Sequence, residues 1–286
     1  MNRTTLLDTA RNLLPPVIFN GIVRSGFLHR LVTKTRRLAA NYTPEVVTIT
    51  GGDLTDYKLK LDPNGAWQHE MISGIYDQEL FDYIKKLELD GKIIYDIGAH
   101  ICYHSLAFAT YVGETGHIYA FEPNPANLTR GNEIIALNPT LARCITTFSV
   151  ALSNETGSTT FLCTDDVEGG SSTGGFIDDA TTLWERSRYV NKVGFTETNV
   201  ALETIDDMVQ SGKMKPPHLI KIDVEGAEQL VLGGADTTLR THHPAIIIEF
   251  HSIYSAYTCM VLLQKYAYTT ELLKREPDGR VMVIAK

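Results

Sequence analysis

A histidine and several carboxylates cluster at the ends of two apolar segments in the C-terminal half of the chain. Lys221, Asp223 and Glu225 alternate along the first segment, so their side chains are expected on one side of a strand. The second segment ends in Glu249 and His251. A histidine beside carboxylates can act as a general base, because its ordinary pKa lies near neutrality. We predict His251 as the base, with Asp223 and Glu225 orienting it or an acceptor hydroxyl.

Two other uses of these side chains stay open. Asp223, Glu225, Glu249 and His251 could together bind a divalent cation that holds an acceptor oxygen. Such an oxygen-rich set suits Mg²⁺ better than Zn²⁺. The preferred prediction is nevertheless a site without metal ligands, in which Mg²⁺ is possible but not favoured. Lys221 and Asp223 could instead form a buried ion pair, with Glu225 in the first turn of a helix.

Two earlier apolar segments end in residues that suit a nucleotide cofactor. The first ends in Asp96, Gly98 and His100; a glycine permits close approach of a ligand, and the next helix offers free N–H groups. The second ends in Glu122, and an acid at that point can accept hydrogen bonds from both ribose hydroxyls. The two strand ends together predict a nucleotide site.

The glycine spacing distinguishes two cofactor classes. A dinucleotide such as NAD needs Gly-x-Gly-x-x-Gly, but counted from Gly98 the other two glycine positions hold His100 and Tyr103. S-adenosylmethionine (SAM) has no pyrophosphate, and its positive charge suits a strand-end acid such as Asp96. The pattern therefore favours SAM over NAD.

The elements that must position these residues alternate along the chain. The predicted strands are Ile93–Ile97, His117–Glu122, Cys144–Ala151, Leu219–Asp223 and Ala245–Phe250, and the predicted helices are Gln78–Leu89, His104–Tyr111, Pro125–Leu137, Glu225–Leu232 and Tyr254–Lys265. This alternation predicts an α/β fold whose parallel sheet has helices on both faces. The Asp278-Gly279 pair between the segments Thr269–Arg275 and Val281–Ala285 predicts an antiparallel hairpin at the C-terminal end.

Four motifs in this order resemble the FkbM family of SAM-dependent methyltransferases. They are Asp96–Ser105, Phe121–Asn124, Val150–Ser153 and Ile220–Glu228, and the resemblance covers roughly residues 65–285. It implies the class I methyltransferase fold, a Rossmann-like, seven-stranded and mostly parallel sheet with an antiparallel last strand. Characterised members are mostly O-methyltransferases of polyketides, sugars and other secondary metabolites.

The resemblance implies transfer of the SAM methyl group to a hydroxyl of a secondary metabolite or glycan, with S-adenosylhomocysteine (SAH) as product. Methyl transfer to nitrogen or a carboxylate is an alternative, as is a noncatalytic module that binds a biosynthetic partner. The expected acceptor is a small-molecule or carrier-bound hydroxylated substrate.

The resemblance also implies which residues contact the cofactor. Asp96 and Gly98 would hold its amino-acid end and Glu122 its ribose, while the turn at 149–152 would flank the adenine. His100 and Cys102 stand where the family pattern has Asn and Gly, and His100 can still hydrogen-bond the methionine end. The full predicted set of cofactor contacts is Tyr76, Asp96, Gly98, His100, Glu122, Pro123, Asn124, Ala151 and Asp223.

Three regions surround or interrupt the predicted methyltransferase domain, residues 66–286. Residues 1–40 carry seven basic residues against one acid and are predicted as a helical extension, which either packs on the domain or docks an acidic carrier protein or anionic membrane surface. Residues 41–65 are predicted as an accessory hairpin. Residues 163–198 are polar and predicted as a substrate or lid insertion, or a surface loop, in which Ser172 and Thr173 could meet the acceptor beside Glu249 and His251.

Composition limits the remaining classes. The 286 residues are 43% hydrophobic and 21% charged with a net charge of −8, which disfavours a disordered chain and a nucleic-acid partner. The four cysteines are widely spaced and predict reduced thiols. No apolar run reaches the ~18 residues of a transmembrane helix, and no signal-peptide pattern is present, so the expected location is the cytoplasm.

Overall fold

A computed structural model describes residues 44–61, 66–164, 167–168, 171–172, 175–177, 195–276 and 279–286. The predicted helical extension and Thr173 lie outside these ranges, as does the side chain of Ser172, so their roles stay predictions. Within these ranges, no helix combines the length and the apolar character needed to cross a membrane.

The strands are numbered in chain order. They are β1 Glu45–Thr48, β2 Lys58–Leu61, β3 Ile93–Ile97, β4 His117–Phe121, β5 Ile145–Phe148, β6 Val150–Leu152, β7 Gly157–Thr164, β8 Val167–Glu168, β9 Ser171–Ser172, β10 Gly175–Ile177, β11 Phe195–Glu203, β12 Leu219–Ile222, β13 Ala245–Phe250, β14 Thr270–Arg275 and β15 Val281–Ala285. The helices are α1 Ala66–Ser73, α2 Gln78–Ile84, α3 Tyr103–Val112, α4 Pro125–Ala136, α5 Pro139–Ala142, α6 Ile205–Gln210, α7 Glu228–Gly233, α8 Asp236–His242 and α9 Ile253–Lys265.

A seven-stranded sheet organises the fold in the order β14-β15-β13-β12-β3-β4-β5. The five strands from β13 to β5 are parallel, whereas β15 runs antiparallel to both β13 and β14. This is the class I methyltransferase order, so the predicted parallel sheet and C-terminal hairpin are confirmed. Strand β3 lies between β4, the next strand in the sequence, and β12, which comes much later. The carboxyl end of β3 is therefore the topological switch point, where α/β sheets bind ligands.

Both faces of the central sheet are buried, as continuous apolar strands require. Ile94 packs in a cluster with Leu80 and Phe108 from α2 and α3. Its neighbour Tyr95 faces the opposite cluster, which contains residues such as Val231 of α7. Alternate residues of one strand therefore fill two separate cores, and the strand ends are held between two helical layers.

A second sheet corrects the sequence-based prediction. The predicted strand Cys144–Ala151 is interrupted at Ser149: β5 joins the central sheet, while β6 joins a four-stranded sheet of order β10-β7-β11-β6. The long antiparallel pairing of β7 with β11 includes both ends of the region 163–198, which the sequence predicts as a substrate or lid insertion. The many Thr, Ser and Gly residues there resemble a loop, but threonine alternating with apolar residues also suits a half-exposed strand.

The start of α7 differs from the prediction as well. The predicted helix Glu225–Leu232 begins only at Glu228, because Glu225 and Gly226 have φ angles of 53° and 107°, outside the helical region. Since β12 ends at Ile222, Glu225 does not alternate with Lys221 along the strand. The turn nevertheless brings Glu225 back toward the strand ends. The antiparallel pairing of β1 with β2 is confirmed, whereas α1 was not predicted.

Gly98 lies where the loops after β3 and β12 come closest. Its φ is 77°, and a Cβ atom at this position would lie 1.8 Å from the carbonyl oxygen of Asp223. A substitution with alanine would therefore move one loop relative to the other. Gly212 has a similar φ of 75°, but a Cβ atom added there would meet no atom of the described residues within 4 Å. It offers a matched comparison.

We expect Gly98→Ala to lower the free energy of unfolding well beyond the loss in Gly212→Ala. Gly212→Ala should lose only the free energy needed to hold an alanine in the left-handed region, about 1–2 kcal/mol. Gly98→Ala has the same cost and also a clash with the backbone of Asp223. Urea unfolding followed by circular dichroism measures both. Equal losses in the two variants would contradict the tight contact between the two loops.

Candidate active site

A cavity of about 550 Å³ opens at the carboxyl ends of β3, β4, β12 and β13. This volume lies within the range of small-molecule sites, roughly 300–1,000 Å³. The predicted residues that line the cavity are Tyr76, Gly98, His100, Glu122, Pro123, Asn124, Ala151, Asp223, Glu225 and Glu249. The fold therefore brings together side chains that are distributed over more than 170 positions of the sequence.

A buried lysine joins the loops that form the cavity floor. The Lys221 ammonium lies 3.3 Å from Asp96 Oδ1 and 3.4 Å from Asp223 Oδ2, and it donates a hydrogen bond of 3.1 Å to the carbonyl of Gly98. Burial alone would lower the pKa of Lys221, but the carboxylates of Asp96 and Asp223 outweigh this effect and raise it. The buried ion pair that the sequence left open is therefore present, and it is extended to Asp96.

Asp96 lies behind the cavity wall. Its side chain is fully buried, accepts a hydrogen bond of 2.5 Å from the Ser105 hydroxyl, and faces the ammonium of Lys221. Asp96 is not among the described residues that line the cavity. Its predicted direct contact with the cofactor stays a prediction, while its observed role is to position Lys221 and the first turn of α3.

Glu122 forms the wall opposite the acidic end of the cavity. Its two carboxylate oxygens accept hydrogen bonds from the backbone N–H groups of His100, at 2.8 Å, and Asn124, at 2.9 Å. Burial raises the pKa of Glu122 to about 7, although these hydrogen bonds counteract part of the shift. The side chain of Asn127 is a third hydrogen-bond partner of this carboxylate, which leaves Glu122 one further lone pair for a ligand.

The loop after β3 accommodates two residues that depart from the family pattern. His100 and Cys102 have φ angles of 51° and 63°, in the left-handed region that Asn and Gly enter more readily. Cys102 is fully buried, and a Cβ on Gly131 of α4 would lie 2.7 Å from its sulfur. The Cys102 side chain thus packs against α4, away from the cavity, while the imidazole of His100 lies beside the indole of Trp67.

Three carboxylates form the acidic end of the cavity. Asp223 and Glu225 lie in the turn after β12, and Glu249 lies near the end of β13, where it accepts a hydrogen bond of 2.7 Å from Arg280. Burial and then the neighbouring Asp223 carboxylate raise the pKa of Glu249 to about 8. The pKa of Asp223 is lowered, because Lys221 and His251 outweigh the effect of its burial. This end of the cavity can bind hydroxyl protons or a cation.

His251 lies beneath the acidic end, with a side chain that is only 2% exposed. Its Nδ1 lies 2.7 Å from Oε1 of buried Glu228, whose other oxygen accepts a hydrogen bond from Ser255. Its Nε2 lies 3.6 Å from both Asp223 Oδ1 and Glu225 Oε2. Burial lowers the pKa of His251, but the carboxylates of Glu225, Glu228 and Asp223 raise it to about 10.

The predicted role of His251 as general base stays a prediction. The imidazole is not among the described residues that line the cavity, whereas Asp223 and Glu225, each 3.6 Å from its Nε2, do line it. An acceptor hydroxyl in the cavity would therefore meet a carboxylate first. The geometry favours Asp223 or Glu225 as the direct partner of that hydroxyl.

Tyr76 enters the cavity from the segment before β3. The next residue, Asp77, has a φ of 51° and binds His104 Nε2 at 3.0 Å and Lys274 Nζ at 2.9 Å. These contacts fix the segment against α3 and the C-terminal hairpin. Burial raises the pKa of Tyr76 well above its ordinary value, so its hydroxyl stays protonated and can donate a hydrogen bond. His104 is thus bound to Asp77 and also lines the cavity.

Several residues that line the cavity have no recognisable signal in the sequence. They are Trp67 and Met71 from α1, Asn127 from α4, Phe161 and Ile177 from the second sheet, and Arg280 before β15. Glycines and polar residues lie next to α1 and to the strands of the second sheet in the sequence, so these elements show no clear helical or strand pattern. Arg280 follows the predicted Asp278-Gly279 turn, and a basic residue in a hairpin turn usually indicates no more than solvent exposure.

These observations are compatible with a bound SAM molecule. Gly98 lines the cavity at the end of β3, and Glu122 provides an acceptor for a ribose hydroxyl. Apolar side chains of Ala151, Phe161 and Ile177 line the cavity beside the second sheet, where a flat base could be sandwiched. The cavity thus combines acidic, polar and apolar regions, as this cofactor requires.

Comparisons with known proteins agree with this arrangement. The methyltransferase FkbM domain matches residues 96–269. The hexuronic acid methyltransferase AglP of Haloferax volcanii is 24% identical over 214 residues, which cover 74% of this chain and 77% of that protein.

Among solved structures, the FkbM methyltransferase of Methylobacillus flagellatus matches with a TM-score of 0.46 and 16% identity, over 72% of this chain and 50% of that chain. Fibrillarin of Aeropyrum pernix, crystallised with SAM, matches with a TM-score of 0.43 and 12% identity, over 73% of this chain and 74% of that chain. The present chain therefore spans only half of the crystallised FkbM relative. Because the domain match covers more than half of this chain, the protein belongs to the FkbM family of SAM-dependent methyltransferases.

Proposed function

We propose that this protein transfers a methyl group from SAM to an oxygen of a sugar, with a hydroxyl of a glycan that contains a hexuronic acid as the preferred acceptor. The observation that carries the proposal is the group of three carboxylates, Asp223, Glu225 and Glu249, at one end of the cavity. Sugar hydroxyls are hydrogen-bond donors for such a surface. The similarity to a hexuronic acid methyltransferase supports this acceptor class.

The cofactor would be held by residues from both halves of the sheet. Glu122 would accept hydrogen bonds from the ribose, and Ala151 with the second sheet would contact the base. Tyr76, Gly98 and His100 would contact the methionine half, with Pro123 and Asn124 closing the side beyond Glu122. When bound, SAM supplies a methyl group on a positively charged sulfur. The acceptor oxygen forms a bond to the methyl carbon, and the sulfur leaves with the electron pair of the broken bond.

The chain itself contributes position and a proton acceptor. A hydroxyl at the acidic end can donate its hydrogen bond to Asp223 or Glu225, which orients an oxygen lone pair away from these carboxylates and into the cavity. The same carboxylate can take the proton as the oxygen is methylated. Lys221 holds Asp223 in place through its 3.4 Å contact, and His251 supports Asp223 and Glu225 from behind.

One observation favours a carboxylate of the sugar as a second candidate acceptor. The guanidinium of Arg280 lines the cavity and contacts Glu249, so it lies where an acceptor carboxylate would need a cation. A methyl ester and a methyl ether are chemically distinct products. Mild alkaline hydrolysis releases methanol from the ester only, which separates the two acceptors when glycans with and without hexuronic acid are incubated with enzyme and SAM.

We expect Asp223→Asn to lower turnover by about 10²–10⁴-fold, because the amide lacks the negative charge that orients the acceptor hydroxyl and assists the loss of its proton. Asp82→Asn, an exposed position on α2, is the matched control and should retain full turnover. Product formation is measured by mass spectrometry of the methylated glycan, and SAH affinity by calorimetry. Undiminished turnover in Asp223→Asn would contradict the role of this carboxylate, and absence of turnover with every sugar would contradict the acceptor class.

We expect SAH affinity to rise about tenfold between pH 6 and pH 8, because Glu122, with its pKa near 7, must be ionised to accept a hydrogen bond from the ribose while it keeps those from the protein. Calorimetric titrations across this pH range measure the effect. Glu122→Gln should bind SAH more weakly and lose this part of the pH dependence. The surface variant Glu133→Gln, which removes only the contact with Lys60, should keep it. An unchanged pH profile in Glu122→Gln would exclude Glu122 as the cause.

A further inference from the structure

The imidazole of His251 has an unexplained nitrogen. Its side chain is 2% exposed, and its Nε2 has no hydrogen-bond partner among the described residues. Burying such a nitrogen without a partner is unfavourable, so the site is expected to supply one when it functions. The nitrogen is aimed at Asp223 Oδ1 and Glu225 Oε2, each 3.6 Å away, beyond hydrogen-bond distance.

We propose that Asp223, Glu249 and His251 bind one divalent cation of the Mn²⁺ type at the acidic end of the cavity. One oxygen from each carboxylate and one nitrogen of the imidazole lie within 4.8 Å of one another. In a six-coordinate ion with bonds of about 2.1 Å, neighbouring ligands lie about 3 Å apart and opposite ligands about 4.2 Å apart, so the three side chains would close in on the ion when it binds.

The surroundings of His251 support this assignment. Its Nδ1 is bound to the buried carboxylate of Glu228, which itself accepts hydrogen bonds from Ser255 and the backbone of Gly226. A carboxylate behind a histidine is the arrangement that fixes ring orientation in metal sites. The ring is thereby held with Nε2 directed toward the acidic end of the cavity.

The charge balance of the site also favours a cation. Asp223, Glu225, Glu249 and buried Glu228 surround His251 and the cationic groups Lys221 and Arg280, and Lys221 is shared with Asp96. A divalent ion would replace the proton on Nε2 of His251 and place a larger positive charge among these carboxylates. Since imidazole joins two carboxylates in the ligand set, the chemistry suits Mn²⁺ or Fe²⁺ better than the all-oxygen ion Mg²⁺.

The role of the ion rests on the proposed function, whereas its binding does not. Three protein ligands leave coordination positions open toward the cavity, where Asp223 and Glu249 are exposed to an acceptor. An acceptor hydroxyl bound there would become more acidic, and Glu225, which is outside the ligand set, would take its proton. The ion would also attract an acceptor carboxylate into an otherwise acidic site.

The test is a titration of the EDTA-treated full chain with Mn²⁺, in which free Mn²⁺ is measured by electron paramagnetic resonance. We expect one bound Mn²⁺ per chain and an affinity at least tenfold lower in His251→Asn. Asparagine keeps a donor near the Nδ1 position for Glu228 but removes Nε2. His242→Asn, an exposed position on α8, is the matched control and should bind Mn²⁺ like the original chain.

Absence of bound Mn²⁺ up to about 1 mM, or equal affinity in His251→Asn and the original chain, would overturn the proposal. Thermal unfolding verifies that His251→Asn is folded; if it is not, Glu249→Gln provides the same comparison for a second ligand. Methyl transfer is measured separately. Mn²⁺ binding without sugar methylation would support the ion site and overturn the acceptor class. Sugar methylation by a chain that binds no Mn²⁺ would support the acceptor class and overturn the ion site.

Discussion

The buried ammonium of Lys221 is the contact on which the rest of the site depends. It lies at the switch point of the sheet and contacts Asp96 after β3, the carbonyl of Gly98 and Asp223 after β12. Removing one member of a buried ion pair leaves the other charge uncompensated, at a cost of roughly 3–5 kcal/mol. The two strand ends that form the cavity floor are therefore coupled: neither can move without exposing an unpaired charge to an apolar surrounding.

The loops around this contact contain unusual backbone conformations. Asp77, His100, Cys102 and Glu225 all have positive φ angles without being glycine. Each such residue is strained, and strain of this kind is retained where the surrounding structure enforces it, often at functional sites. In this protein the strained turns direct the N–H of His100 to Glu122 and return Glu225 to the strand ends. The packing of buried strands and helices stabilises the fold enough to offset the conformational strain of these turns.

The cavity separates two kinds of chemistry along its length. Glu122 and the second sheet form one end, with polar acceptors next to apolar walls. Asp223, Glu225 and Glu249 form the other end, where negative charge is concentrated and where His251 is held from behind by Glu228. The loop after β3 lies between them. A cofactor at the first end thus meets an acceptor, or an ion that binds the acceptor, at the second.

The sequence alone determined the central sheet, the C-terminal hairpin and the cofactor class, because each rests on local signals. Apolar strands such as Ile93–Ile97 alternate with helices, Asp278-Gly279 is a typical hairpin-turn pair, and the residues after Gly98 lack the glycines that NAD requires. The motif Ile220–Glu228 was specific enough to indicate the family. These features need no knowledge of distant contacts.

Only the tertiary structure decided which side chains of the site line the cavity and which lie behind its wall. Asp96 and His251 have the residue types of a cofactor contact and a base, yet both lie behind the cavity wall because Ser105, Lys221 and Glu228 bind them there. Trp67 and Arg280 enter the cavity from segments without a recognisable motif. Periodicity and residue type indicate which elements form, but the direction and charge of a buried side chain depend on partners that are distant in the sequence. Those partners are brought together only by the fold.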